Sequence, residues 1–179
     1  GGVQKVAPVL AGTFLMGGAV RGGGFATTRP SGAMLGAMAV PGPDGLGRSA
    51  DEIVSVKGLG TALRAAGVED GSWLDTDCGW RAVAVPVETW LEDAAAALAH
   101  VAINTWCAFE FDTIVIDGVL PDDLMVLLIE RTQAVISAIP HAAGGRLALV
   151  RGGLGPDAAM LGAARFPFHQ RFFSADPLG

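Results

Sequence analysis

The sequence has no tyrosine, only two cysteines and three histidines, and no window that collects basic residues. Each shortage removes a class of function. Two thiols, Cys78 and Cys107, cannot build a zinc cage and need no disulfide, which fits reduced thiols in a cytosolic protein. His100, His141 and His169 lack metal-ligand spacing, and no HExxH, CxxC, GxSxG or P-loop motif occurs. Lysine and arginine number 12 against 18 acidic residues, a net charge of −6, so the basic face that direct nucleic-acid binding needs is missing. If the protein acts on DNA, another segment makes the contact. The longest helix-like apolar run, Ala94 to Phe109, carries His100 and Asn104 and is shorter than the ~18 residues that suggest a membrane span. The start, Gly1-Gly2-Val3-Gln4-Lys5, has neither a signal-peptide pattern nor an initiator methionine, which suggests a cytoplasmic chain and a processed or truncated piece.

What the chain does have is glycine. The 26 glycines among 179 residues are about double the usual ~7%, without the three-residue period of collagen. An apolar content of 51% excludes disorder, because that much apolar surface can offset chain entropy. With no internal repeat and no linker, residues 1–179 read as one α/β domain.

Val6 to Leu10 and Phe14 to Val20 read as two strands around the bend Ala11-Gly12-Thr13, with Gly17 and Gly18 where a second backbone or a ligand can approach closely. Arg21 to Thr28 is a glycine-rich loop, Met34 to Val40 a third strand, and Pro41 to Gly47 a turn cluster. Ser49-Ala50-Asp51-Glu52 matches a capping box and opens a helix through Ala66, with Ile53, Val56, Leu59 and Leu63 on its buried stripe and Gly67 as its stop. Glu69 to Ala84 is irregular and holds Trp73 and Trp80. A long helix follows from near Pro86 to Phe109, with Glu88, Glu92 and Asp93 toward its positive end. Trp90, Ala94, Leu98, Val101 and Thr105 share its inner face, and His100 falls one residue off that stripe. A strand at Thr113 to Asp117, a helix from Pro121 to Ile139, a strand at Arg146 to Val150 and a helix from Asp157 to Ala164 complete the chain. That alternation favours parallel strands with helical crossovers.

Three segments are candidates for chemistry. Gly153-Leu154-Gly155-Pro156-Asp157-Ala158 fits GxGxxA between a strand and a helix, but residues 159–179 are too few for another βαβ unit, so a structural turn capped by Asp157 is the better reading. Asp112 and Asp117 are five residues apart on one strand, hence on opposite faces and not a paired-carboxylate site. Asp117 lies where a strand's carboxyl end faces a ligand. The hairpin Gly12-Thr13-Phe14-Leu15-Met16-Gly17-Gly18 could cradle phosphate on its backbone N–H groups or be a packed hairpin, since Phe14 and Met16 interrupt the glycines.

In this order the segments resemble the C-terminal lobe of the ROK family (repressors, open reading frames and sugar kinases), over about residues 6 to 172. Gly12, Thr13, Gly17 and Gly18 are similar to its phosphate segment GTGIGGG. Ser31-Gly32-Ala33-Met34-Leu35-Gly36-Ala37-Met38 is similar to its sugar segment NAGELGHM. Ile114-Val115-Ile116-Asp117-Gly118 resembles the strand before its adenosine loop, and the run from Leu154 through Gly155 to Ala164 resembles its closing LGxDAGLLGAA. The nearest resemblance is to proteobacterial ROK transcription regulators, with GTFIGGG, NAGALGSM, an IVIDG strand and a final LPLxxRFL, here Phe166-Pro167-Phe168-His169-Gln170-Arg171-Phe172-Phe173.

The resemblance implies an actin/hexokinase-like (ribonuclease H-like) lobe with a mixed sheet and flanking helices. It also implies that a glutamate and a histidine of the sugar segment are replaced by Met34 and Ala37, neither of which can hold a sugar hydroxyl as they would. The family's zinc run, CxCGxxGC, has no counterpart between Pro41 and Glu52. Glu52 could stand for the sugar-contacting glutamate after that run, although a capping role suits it better. The N-terminal lobe with the catalytic aspartate, and any helix-turn-helix, would lie outside this sequence. The expectation is therefore a non-catalytic, effector-sensing and dimerising lobe of a sugar-responsive transcription regulator, using neither zinc nor ATP. Its expected partners are a sugar or sugar-phosphate effector and a second copy, with DNA reached only through an absent N-terminal segment and no membrane contact. The alternative is the C-terminal lobe of a drifted sugar kinase.

Overall fold

The computed structural model of the chain describes residues 5–12, 15–17, 20–21, 24–25, 35–68, 79–109, 113–139 and 147–157. At its centre three strands run parallel: β1 (Lys5–Ala11), β7 (Thr113–Gly118) and β8 (Ala148–Arg151), with β7 in the middle. Val6 pairs with Thr113 and Ala11 with Gly118, while Thr113 pairs with Ala148 and Ile116 with Arg151. The other edge of β1 is taken by antiparallel pieces. β2 (Leu15–Gly17) pairs with its end, β3 (Val20–Arg21) with its start, and β4 (Gly24–Phe25) extends the sheet beyond β3. The expected strand from Phe14 to Val20 is thus two short strands, and part of the expected glycine loop is a hairpin.

The expected strand at Met34 to Val40 is corrected. Leu35–Ala37 forms one 3-10 turn, and only β5 (Ala39–Pro41) is extended, pairing with β6 (Gly47–Ser49) in a separate two-stranded sheet. Its connecting turn carries Gly45 in the left-handed region and an Arg48–Asp44 ion pair of 2.6 Å.

The helix expected to run through Ala66 is also corrected, because it is broken. α1 (Ala50–Val54) and α2 (Val56–Ala65) are separated by Ser55, whose backbone is extended at φ −73°, ψ 163°. The capping box at Ser49 does not form as the motif implies: the Ser49 hydroxyl donates to the Glu52 carboxylate at 3.1 Å and caps no backbone N–H. The cap that does form belongs to Ser55, which accepts the Gly58 N–H at 3.1 Å. Gly67 stops α2 as expected, at φ +82°, while the Val68 N–H reaches back to the Leu63 carbonyl.

After a 3-10 segment at Gly79–Val83, α3 (Ala84–Phe109) runs through the middle of the helical layer. All five residues of the expected inner stripe are buried, joined by Ala95, Ala97 and Ala99, because α1, α2 and α4 (Asp122–Ala138) all pack against it. Small alanines let those neighbours approach, so the buried face is wider than one stripe. No acid lies in its first turn. Glu88 and Glu92 instead face Arg131 of α4, half-exposed pairs that add little stability. α4 is the crossover between β7 and β8, and its Gln133 side chain accepts the Leu149 N–H of β8 at 3.2 Å.

The core joins Val9 and Ala11 of β1, Ile114 and Ile116 of β7, and Leu124 and Leu128 of α4 with the α3 stripe. Among the described residues no helix is long and apolar enough to cross a membrane.

Candidate functional site at the carboxyl edge of the sheet

Parallel strands end together, so their following loops crowd one edge of the sheet, where α/β proteins place ligands. Here β1 ends at Ala11 and Gly12, β7 at Gly118, and β8 at Arg151 before the 152–157 turn. Three of the glycines singled out from sequence, Gly12, Gly118 and Gly155, therefore lie along this edge, as does Asp117.

The edge is closely packed. Gly118 has φ +154°, and a Cβ built on it would stand 2.1 Å from the Ala11 carbonyl oxygen, so only glycine lets β7 finish against β1. Gly17 reads differently in three dimensions: a Cβ there would meet the Leu35 side chain at 2.3 Å. The opening expected for a ligand or second backbone beside Gly17 is filled by Leu35, the neighbour of Met34 in the sugar-like segment.

Asp117 is engaged from three sides. One carboxylate oxygen accepts the N–H groups of Gly118 and Gly155, each at 2.9 Å, and the other accepts the Leu154 N–H at 3.0 Å. The carboxylate also rests against Gly152, where a Cβ would come within 2.3 Å of it. The expected ligand-facing acid thus pins the 152–157 turn to the end of β7. That turn contains the GxGxxA match and forms a 3-10 turn at Gly155–Asp157. The helix expected from Asp157 to Ala164 lies outside the described residues beyond Asp157.

Two arginines flank the same edge at the start of α4. Arg151 pairs with Asp122, and Arg81 pairs with Asp123 at 3.0 Å. Asp123 also accepts the Trp80 indole N–H at 2.9 Å, and the Arg81 guanidinium lies 5.6 Å from the Trp80 ring centroid. Sequence reading missed this cluster, since its partners are 29 to 43 residues apart. The acids in the first turn of α4 were the only available signal.

Of the remaining sequence candidates, Ala37 is exposed at the end of its 3-10 turn, while Thr13, Gly18, Ser31, Met34 and Asp112 lie outside the described residues. Cys107 is a free, exposed thiol, and Cys78 lies outside the described residues. The 39–49 hairpin does not fit zinc. It has no thiolate or imidazole, its Asp44 is held by Arg48, and among the described residues no three His, Cys, Asp or Glu side chains converge on a metal site. The Arg48 guanidinium, with the Leu46 N–H, holds the Asp44 carboxyl below its ordinary value.

No family model matches the sequence, and no curated protein does. Solved structures do. A ROK hexokinase from Thermus thermophilus superposes with a TM-score of 0.67 at 24% identity, over 91% of this chain and 58% of its own. A ROK family protein from Streptococcus pneumoniae, solved with sucrose, gives a TM-score of 0.72 at 16% identity, over 94% of this chain and 59% of its own. A ROK family transcriptional regulator, a homologue of the E. coli MLC protein, gives 0.61 at 16% identity, over 82% and 42%. The chain has the ROK fold. It spans well under two thirds of the length of these structures. The mixed α/β, hexokinase-like architecture expected from the motifs is therefore present. Kinases and a regulator share it, so the fold alone does not choose between their activities.

Proposed function

We propose that this chain is the effector-sensing and dimerising C-terminal lobe of a ROK-type, sugar-responsive transcription regulator, without catalysis of its own. The observation that carries it is the sugar-like segment, in which Met34 and Ala37 stand where the resemblance expects a glutamate and a histidine. Neither side chain can hold a sugar hydroxyl as a carboxylate and an imidazole do, and Asp117 at the carboxyl edge is engaged by three backbone N–H groups of the turn that it holds. The absence of thiolate and imidazole zinc ligands from the 39–49 hairpin supports the same reading. In this role the protein acts in the cytoplasm as a homodimer and uses neither zinc nor ATP. It binds a sugar or sugar phosphate with different affinity in two arrangements, and it reaches DNA through a helix-turn-helix carried outside this sequence.

The fold shared with a hexokinase favours one other reading, the corresponding lobe of a drifted sugar kinase. Calorimetry of the full-length protein against a panel of sugars and sugar phosphates, beside a coupled ATP-turnover assay, separates them. A regulator gives binding heat without turnover. Sugar-dependent ATP consumption would establish the kinase, and silence across the panel would sink sugar sensing.

A further inference from the structure

We propose that the break at Ser55 is a two-state joint between the carboxyl edge of the sheet and the helical layer. The broken form is the one observed, and an unbroken helix from Ala50 to Ala65 is its alternative. Neither proline nor glycine occupies the break itself, which reads Val54-Ser55-Val56-Lys57. The apolar spacing of Ile53, Val56, Leu59 and Leu63 stays in helical phase across it. Local sequence therefore allows continuity, and tertiary bonds hold the break open.

Those bonds are few and identifiable. In a continuous helix the Val56 N–H would donate to the Glu52 carbonyl, and the Ile53 carbonyl would accept from Lys57. In the broken form the Val56 N–H instead donates to the Gly12 carbonyl at 2.9 Å, at the end of β1. The Ile53 carbonyl instead accepts the Trp90 indole N–H of α3 at 2.7 Å. Both arrangements satisfy the Val56 N–H and the Ile53 carbonyl, and they differ in whether the Gly12 carbonyl and the Trp90 indole N–H are bonded to the helix or must find other partners. Ser55 serves both. Its hydroxyl donates to the Asp51 carbonyl at 2.5 Å, four residues back, as serines do inside helices, and it accepts the Gly58 N–H at 3.1 Å as the cap of α2. Gly58 belongs to the broken form, where a Cβ would come within 2.6 Å of the Glu52 and Ile53 carbonyl oxygens. In a continuous helix an alanine there is favoured over glycine.

A change at Gly12 that withdraws its carbonyl frees the Val56 N–H for Glu52, and straightening of the helix then turns the Ile53 carbonyl from the Trp90 indole to the Lys57 N–H. This makes the joint a place where events at the sheet edge become a rearrangement of the helices. The inference stands on this geometry and is independent of whether the protein is a regulator or a kinase.

Opposite substitutions test it. Val56→Pro excludes the continuous form, although it also removes the N–H that the Gly12 carbonyl accepts. Proline is preferred as the first residue of a helix and disfavoured inside one, and the extended Ser55 backbone is what a residue before proline adopts. Gly58→Ala suits the continuous form. The readouts are helical circular dichroism and hydrogen exchange at the Trp90 indole, its signal assigned by Trp90→Phe. Gly58→Ala is expected to raise helicity and speed exchange at Trp90 about fivefold or more, while Val56→Pro, which cannot form the continuous helix, does not raise helicity. Ser55→Ala, which removes the α2 cap, is expected to move in the direction of Gly58→Ala. A wild-type Trp90 signal in folded Gly58→Ala overturns the proposal, as does a rise in helicity in Val56→Pro equal to that in Gly58→Ala. Failure of both Gly58→Ala and Ser55→Ala to fold overturns it too, since the continuous form would then not be a folded state.

Discussion

The Asp117 carboxylate accepts the backbone N–H of Gly155 at 2.9 Å, joining the end of β7 to the turn that follows β8. The Leu154 N–H on its second oxygen makes the join two-pronged. Asp117→Ala leaves those donors without their partner and is expected to destabilise the protein by about 2 kcal/mol. Asp117→Asn keeps one oxygen and loses the second acceptor, so about half that loss is expected. Urea denaturation of the two variants measures both. Equal stability of Asp117→Ala and wild type would show that the turn is held by other contacts.

Two glycines give different expectations for one substitution, Gly118 at the carboxyl edge and Gly17 in β2 beside β1. At Gly118 the added methyl meets the Ala11 backbone oxygen, which cannot swing aside, and the residue's φ is unfavourable for alanine. Gly118→Ala is expected to cost about 3 kcal/mol. At Gly17 the methyl meets Leu35 at Cγ (2.8 Å) and Cβ (3.1 Å) as well as Cδ1, and that buried side chain must shift within the core, so Gly17→Ala is expected to cost about 2 kcal/mol. The order of the two melting temperatures checks the distinction between a backbone and a side-chain obstacle.

The elements legible in the sequence were those specified by local pattern. The Trp90–Thr105 stripe located α3, Pro121 set the start of α4, and Gly67 set the stop of α2. The break at Ser55 was not legible, because the apolar stripe is the same with or without it, and the bonds that hold it come from Gly12 and Trp90. Ser49 and Glu52 met the capping motif, yet side-chain oxygens bonded each other, a choice local spacing does not determine. At the candidate site the residue types were readable and their use was not. Asp117 could be placed at a strand end, but the turn it holds is some 37 residues further along. Gly17 could be read as a place of close approach, but not that the group approaching it is the Leu35 side chain.

Asp93 sets a pH dependence. Burial in the helical layer, reinforced by neighbouring Glu92, raises its carboxyl above the ordinary value of 3.8. A carboxyl with a raised folded-state pKa binds more protons folded than unfolded just above that value. Its contribution to stability is therefore full below the unfolded pKa and is lost as pH rises through the folded one. Asp93→Asn removes the charge that burial disfavours. The variant is expected to be more stable than wild type at neutral pH, with the difference fading as the pH falls toward 3.8. Thermal melts across that range check it, and a difference that grows on acidification would reverse the sign.

Thr105 closes the inner stripe of α3 with a hydroxyl that does not fit its surroundings. It is 1% exposed, and its Oγ1 has no hydrogen-bond partner among the described residues, not even the carbonyl four residues back that helical threonines commonly use. A buried hydroxyl without a partner bears its full desolvation penalty, and valine has the same shape without that penalty. Valine also keeps the branched Cβ, so helix propensity and packing volume barely change. Thr105→Val is accordingly expected to stabilise the protein by about 1 kcal/mol, the opposite of the usual effect of a core substitution. Thr105→Ser, which keeps the hydroxyl and removes a packed methyl, is expected to destabilise by about 1 kcal/mol. Denaturation midpoints that move in opposite directions for the two variants establish the hydroxyl as a net cost. A loss of stability in Thr105→Val would mean that the hydroxyl is bonded after all.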